Sequence, residues 1–168
     1  SCVGSSTRMV NTGGSYYGGS PQTTRARNII DYWTIASTGN ATDFGDLSTA
    51  RDVRAMAGNG VRSVVGGGQN APADQGAVSA TKENIMEYIT VASTGNMTDF
   101  GDLTVARSQN GGTSSSTRGV YIGGRAPGAS NIIDYITIAS TGDATDYGDL
   151  VTAMIDGGSA SDGHGGLQ

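Results

Sequence analysis

The sequence is short of the residues from which catalytic and metal centres are usually assembled. Among 168 residues there is one histidine, His164, and one cysteine, Cys2. A single cysteine closes no intrachain disulfide, so the redox compartment is left open. Proline is scarce, at three residues, and there is no long block of charge, which argues against a disordered tail. The formal net charge of −5 supplies no basic footprint for a nucleic acid. No apolar run approaches the roughly 18 residues that a membrane helix needs, so insertion in a membrane is not expected. The first residues, Ser1-Cys2-Val3-Gly4, carry neither an initiator Met nor a signal-peptide profile, so the chain is either processed or a piece of a longer one. What the chain has in abundance is glycine, 28 residues against one Trp, seven Tyr and two Phe. Glycine does not recur at every third position, which excludes collagen and assigns these residues to turns and close backbone approaches.

By length the chain is one domain, but it is internally repetitive, and a missed repeat would misassign the fold. Asn28 opens NIIDYWTIASTGNATDFGDLSTAR, Asn84 opens NIMEYITVASTGNMTDFGDLTVAR and Asn131 opens NIIDYITIASTGDATDYGDLVTAM. Upstream of each lies a second shared block, in which Arg8, Arg62 and Arg118 stand five residues before the glycine pairs Gly13-Gly14, Gly67-Gly68 and Gly123-Gly124. The units run approximately over residues 1–51, 52–107 and 108–153, and residues 154–168 form a C-terminal strand or tail.

Each unit reads as β structure. NIIDYITIA is rich in Ile, Tyr and Thr and free of Gly and Pro. Along Ile29–Ile35 both alternating faces carry large side chains, with Ile29, Trp33 and Ile35 on one and Ile30 and Tyr32 on the other. A strand apolar on both faces must be covered on both. Four short strands per unit are expected. In the third unit they lie near Arg107–Thr113, Arg118–Ile122, Asn131–Ala139 and Tyr147–Thr152. The Ser-Thr-Gly-Asn/Asp segment turns strand three into strand four, with Gly39, Gly95 and Gly142 free to take positive φ.

A hydrophobic run ending in Gly123-Gly124, Tyr135 in strand three, Tyr147 beyond it and the Ala106-Arg107 step of the neighbouring unit together resemble kelch repeats. The aromatic lies further from the Tyr than in the standard motif. The wording IASTGNATDFGDLTVAR resembles the kelch-like repeat proteins encoded by bacteriophages, often associated with the virion or tail. The resemblance implies an all-β fold of β-propeller blades, three four-stranded repeats here, and a virion or extracellular location. It says less about function, because fold alone does not fix function. Copper oxidases exist among kelch proteins, but their site needs more than one His and a Cys crosslinked to Tyr, so one chain with one His and one Cys cannot supply it.

Propellers usually have four to eight blades, and three cannot close a ring. Residues 158–168 fall in the same repeat phase as residues 1–11, and the C-terminal AMIDGGSASDG, which opens at Ala153, offers a strand-one equivalent that could complete a partner's first unit. Two chains would then form a six-bladed homodimeric ring with two-fold symmetry. The alternatives are blades upstream of this chain and a trimeric fibre of stacked units.

Candidate functional residues separate by whether they recur. The connection from the glycine pair to strand three is thirteen residues in the first unit (Ser15–Arg27), fifteen in the second (Gln69–Glu83) and six in the third (Arg125–Ser130). Variable loops on a rigid scaffold are the usual home of binding residues. They carry Tyr16, Tyr17, Gln22, Arg25 and Arg27, then Gln69, Asn70, Asp74, Gln75 and Lys82, and finally Arg125. Tyr, Arg and amides suit stacking on sugar rings or anchoring a protein contact. The expected ligand is a host surface glycan or another virion protein, or, for a lectin-type propeller outside any phage, a carbohydrate. The alternative is that these loops are tolerated insertions.

Recurring residues read as scaffold. Asp43 with Asp46, Asp99 with Asp102 and Asp146 with Asp149 could bind calcium together with Asn40, Asn96 or Asp143. A feature present in every unit is more simply an Asx turn capping a strand end, so no cofactor is assigned and calcium is the alternative. Arg8, Arg62 and Arg118 are expected to pair with Asp31, Glu87 and Asp134. No Ser-His-Asp or Cys-His arrangement has a second supporting element, so no catalytic residue is expected.

Overall fold

A computed structural model describes residues 2–18, 23–70 and 80–157. Every regular element among them is a strand. The first unit contains β1 (Cys2–Gly4), β2 (Arg8–Thr12), β3 (Ser15–Gly18), β4 (Thr23–Ala26), β5 (Ile29–Thr34) and β6 (Thr42–Asp46). The second contains β7 (Ala55–Gly58), β8 (Arg62–Gly66), β9 (Gln69–Asn70), β10 (Thr81–Lys82), β11 (Ile85–Thr90) and β12 (Thr98–Asp102). The third contains β13 (Gly111–Ser114), β14 (Arg118–Ile122), β15 (Arg125–Ala126), β16 (Gly128–Thr137) and β17 (Thr145–Met154).

Each unit folds as one antiparallel sheet in which chain neighbours pair: β1-β2-β5-β6, β7-β8-β11-β12 and β13-β14-β16-β17. The connection between strands two and three rises as a hairpin of its own, β3-β4, β9-β10, or β15 folded onto the start of β16. The expected four strands per unit are present. Strand two of the third unit has the expected bounds, whereas strand one begins later than expected, because Arg107 is drawn into a buried junction before β13 starts. The first sheet has a strand one of its own, β1, paired through Cys2↔Asn11 and Gly4↔Met9. Of the C-terminal segment AMIDGGSASDG expected to supply an exchanged strand, Ala153 and Met154 instead end β17, residues 155–157 lie outside any strand, and residues 158–163 are outside the described residues.

The sheets stack face to face, and the apolar alternation sets the two cores. Val10, Ile30, Phe44 and Leu47 of the first sheet pack against Met56, Val65, Ile89, Val91 and Met97 of the second. The opposite face of the second sheet, with Val64, Met86, Phe100 and Leu103, packs against Tyr121, Ile136 and Ile138 of the third. The second sheet is thus covered on both faces, as its sequence demands. Removing side chains of this size from water contributes about 1.5–3 kcal/mol each. The first strands also converge. Gly112 approaches the backbone of Met56 so closely that a Cβ would strike it, and Ser114 Oγ donates to Gly58 O at 2.7 Å.

Candidate functional site

At the two covered junctions recurring arginines and strand-three carboxylates are engaged between sheets, though not in the expected pairs. Arg8 lies over the Tyr32 ring, 4.3 Å from its centroid, and donates to Val91 O of the next sheet at 2.9 Å. Arg62 does the same with Tyr88 and Ile138 O. Arg118 lies over Tyr135 but is exposed. The carboxylates expected to pair with these arginines take others: Glu87 pairs with Arg51 at 2.6 Å and Asp134 with Arg107 at 3.0 Å, all four side chains almost wholly buried. The correction follows from strand parity. Arg8 pairs in register with Thr34 and shares a face with Tyr32, whereas Asp31 points to the other face. Burial pushes the Arg51 and Arg107 pKa values down, and the facing carboxylates oppose that shift. Glu87 also accepts from Ser48 N, and Asp134 from Thr104 N and Oγ1, so each carboxylate ties the end of the preceding strand four to the next sheet.

The Thr-Asp-aromatic-Gly-Asp segments form strand four, and each carries a register shift opposite strand three. The glycine in the shift has positive φ, +148° at Gly45 and +135° at Gly101. Both lie so close to the turn of the next sheet that a Cβ would strike the backbone of Gly95 or Gly142. Across this contact Gly95 N donates to Phe44 O and Met97 N to Asp46 O, repeated as Gly142 N to Phe100 O and Ala144 N to Asp102 O. Two of the side chains that could have bound calcium serve the same contact: Asn96 Oδ1 accepts from Asp46 N, and Asp143 Oδ1 from Asp102 N, each at 3.0 Å. Among the described residues no group of three or more His, Cys, Asp or Glu could hold a metal.

The variable connections divide the candidate binding residues into three kinds. Tyr16 and Arg27 come together on the first hairpin: Tyr16 is 47% exposed, and the exposed Arg27 guanidinium lies 4.9 Å from its ring centroid. Lys82 is half-buried at the base of the second hairpin, and Arg125 is exposed on the third. Gln69 and Asn70 are instead structural. Gln69 Oε1 accepts from Ser108 Oγ of the third unit, while Asn70 donates to Glu83 and accepts from Thr81 N, closing its hairpin. Tyr17 and Arg25 are placed in β3 and β4 by register, opposite Thr24 and Tyr16. Gln22, Asp74 and Gln75 lie outside the described residues, as does His164.

Two features escaped the reading of the sequence. Three equivalent depressions, of about 210, 210 and 220 Å³, sit at the turn from strand three to strand four. In the first unit Tyr32, Thr34, Ser37, Thr38, Asn40 and Thr42 line it. The signal was the recurring Ser-Thr-Gly run, which reads as turn chemistry alone. The second is an exposed bridge from Arg54 to Asp156 at 2.6 Å, with Gln109 also donating to Asp156. It joins residues that do not recur, so no alignment of units could find it. No family model and no curated protein matches the chain.

Proposed function

We propose that this chain is a non-catalytic binding module, three blades of a kelch-like β-propeller that contacts its ligand through the strand two–three hairpins. Each unit is a four-stranded antiparallel meander, neighbouring units stack face to face, and their first strands converge, as blades around an axis would. The observation that carries the binding role is a division of labour. At the two covered junctions the recurring Arg8, Arg62, Arg51, Arg107, Glu87, Asp134, Asn96 and Asp143 are engaged between sheets, whereas the hairpins differ and expose Tyr16 with Arg27, and Arg125. A tyrosine ring with a guanidinium on one face keeps its other face for a sugar or an apolar anchor, and the pair itself adds about 0.5–1 kcal/mol at an exposed site. The ligand in this reading is a host surface glycan or another virion protein. The placement in a phage virion or tail rests on the sequence resemblance to phage kelch-like repeats.

A second reading, a lectin-type propeller outside any phage, has its own support in the three equivalent hydroxyl-lined depressions. A glycan array on the purified chain separates the two sites. Loss of binding in Tyr16→Ala/Arg27→Ala, with Thr38→Val unaffected, assigns the hairpins; the reverse pattern assigns the depressions and overturns the hairpin reading. Recovery of the chain from purified particles would distinguish the two origins.

A further inference from the structure

Two sheet faces carry the residues of a junction without a neighbour among the described residues. On the outward face of the third sheet Tyr147 is 57% exposed, while the equivalent Phe44 and Phe100 are 2% exposed. Val120, Ile133 and Leu150 are only half-buried there, although their counterparts Val10, Ile30 and Leu47, and Val64, Met86 and Leu103, are buried. Among the described residues nothing lies within 4 Å of a Cβ built on Gly148, the counterpart of Gly45 and Gly101. At the other end of the stack the outer face of the first sheet bears Trp33, half-buried, and Ile35, 51% exposed, where Val91 and Ile138 are buried.

We infer that these two faces are complementary halves of a third junction, formed between two copies of this chain. The inference deepens the propeller reading and rests on it for the number of copies. Both covered junctions use one set of bonds, and the open faces hold every backbone group and nearly every side chain needed to repeat it. Arg118 would donate to Ile35 O, as Arg8 does to Val91 O and Arg62 to Ile138 O. Gly39 N would donate to Tyr147 O and Ala41 N to Asp149 O, in the pattern of Gly95 with Phe44 and Met97 with Asp46. Asn40 Oδ1 would accept from Asp149 N, as Asn96 Oδ1 does from Asp46 N.

One component is missing. Gly124 N donates to Met154 O as Gly68 N does to Arg107 O and Gly14 N to Arg51 O, so Met154 occupies the position of the junction arginine. Asp31, the counterpart of Glu87 and Asp134, would therefore meet a methionine. A contact of the front of one chain with the back of another propagates unless the rotation closes it. Six is the only multiple of three between four and eight blades, so two copies close the ring, with two such junctions related by a two-fold axis.

Sedimentation equilibrium and native mass spectrometry of the 168-residue chain test this. A closed dimer of twice the 16.9 kDa chain mass is expected. A chain that stays monomeric at high concentration, or assembles into species of increasing size, overturns the inference. Ile35→Asp places a charge on an exposed position, so the fold, read by circular dichroism, should be kept while the dimer dissociation constant rises about a hundredfold or more. An unchanged constant places the contact elsewhere and overturns the inference. Met154→Arg should tighten the dimer by supplying the third arginine–carboxylate pair, and adding Asp31→Asn should cancel the gain. Tightening that survives Asp31→Asn overturns the assigned register, as does no tightening at all. A chain that fails to dimerise yet binds through its hairpins removes this inference and leaves the binding function standing.

Discussion

The junctions between sheets and the hairpins at their ends belong to the same three repeats, yet they behave in opposite ways. The two covered junctions are made of the same bonds at the same positions: an arginine on a carbonyl, an arginine on a carboxylate, a glycine against a glycine turn and an Asn or Asp on a backbone amide. The three hairpins share a point of origin after the glycine pair and little else. In a repeat protein each unit leans on its neighbours, so what recurs is what holds units together.

The sharpest way to break the comparison is to remove a recurring charge. Asp134→Asn leaves Arg107 buried without its counter-ion and is expected to cost about 3–5 kcal/mol, read as a lower urea midpoint. Such a loss in Tyr16→Ala instead would invert the two roles.

Glycine gives a finer contrast. Gly101→Ala puts a Cβ into the backbone of Gly142 at φ +135° and should cost about 2–4 kcal/mol, combining strain with overpacking. Gly148→Ala meets an open face at nearly the same φ, +132°, so only the strain of about 1–2 kcal/mol is expected. Both are best measured in the Ile35→Asp background, where the open face stays uncovered. Equal costs would mean that the close approach at Gly101 is unimportant.

Tyr121 sharpens the account of the second junction. Its hydroxyl is fully buried and donates to Val64 O at 2.9 Å, and burial pushes its pKa above the ordinary value. A group whose pKa is raised on folding contributes stability that is complete below its unfolded pKa, about 10 for tyrosine, and is lost as pH rises beyond it. Unfolding free energy should therefore fall above about pH 10. Tyr121→Phe should cost about 1 kcal/mol at neutral pH and make that fall shallower. A slope identical in the variant would assign the alkaline loss to other groups. The smallest effect expected is that of Tyr16→Ala on stability, within about 0.5 kcal/mol.

Much of this fold was legible in the sequence because the repeat is written in residues with backbone consequences. The glycine pairs end strand two, Ser-Thr-Gly turns strand three into strand four, and Ile-Tyr alternation gives a strand apolar on both faces. The partners of the carboxylates were harder to read. Asp31 and Arg8 are in the same sheet but on opposite faces, and the arginine that meets Glu87 belongs to the preceding unit. A pair assembled across a junction leaves no spacing within a unit. The candidate site was legible as a region and not residue by residue, since Gln69 and Asn70 look free in sequence but are engaged once the hairpins form.

The central claim is that the varying hairpins, and not the recurring junctions, carry recognition. Exchanging residues 15–27 for the six-residue connection Arg125–Ser130 tests it on a glycan array against the unaltered chain. The account predicts an unchanged circular dichroism spectrum and melting midpoint, with binding lost. Binding that survives the exchange at its original strength would contradict it.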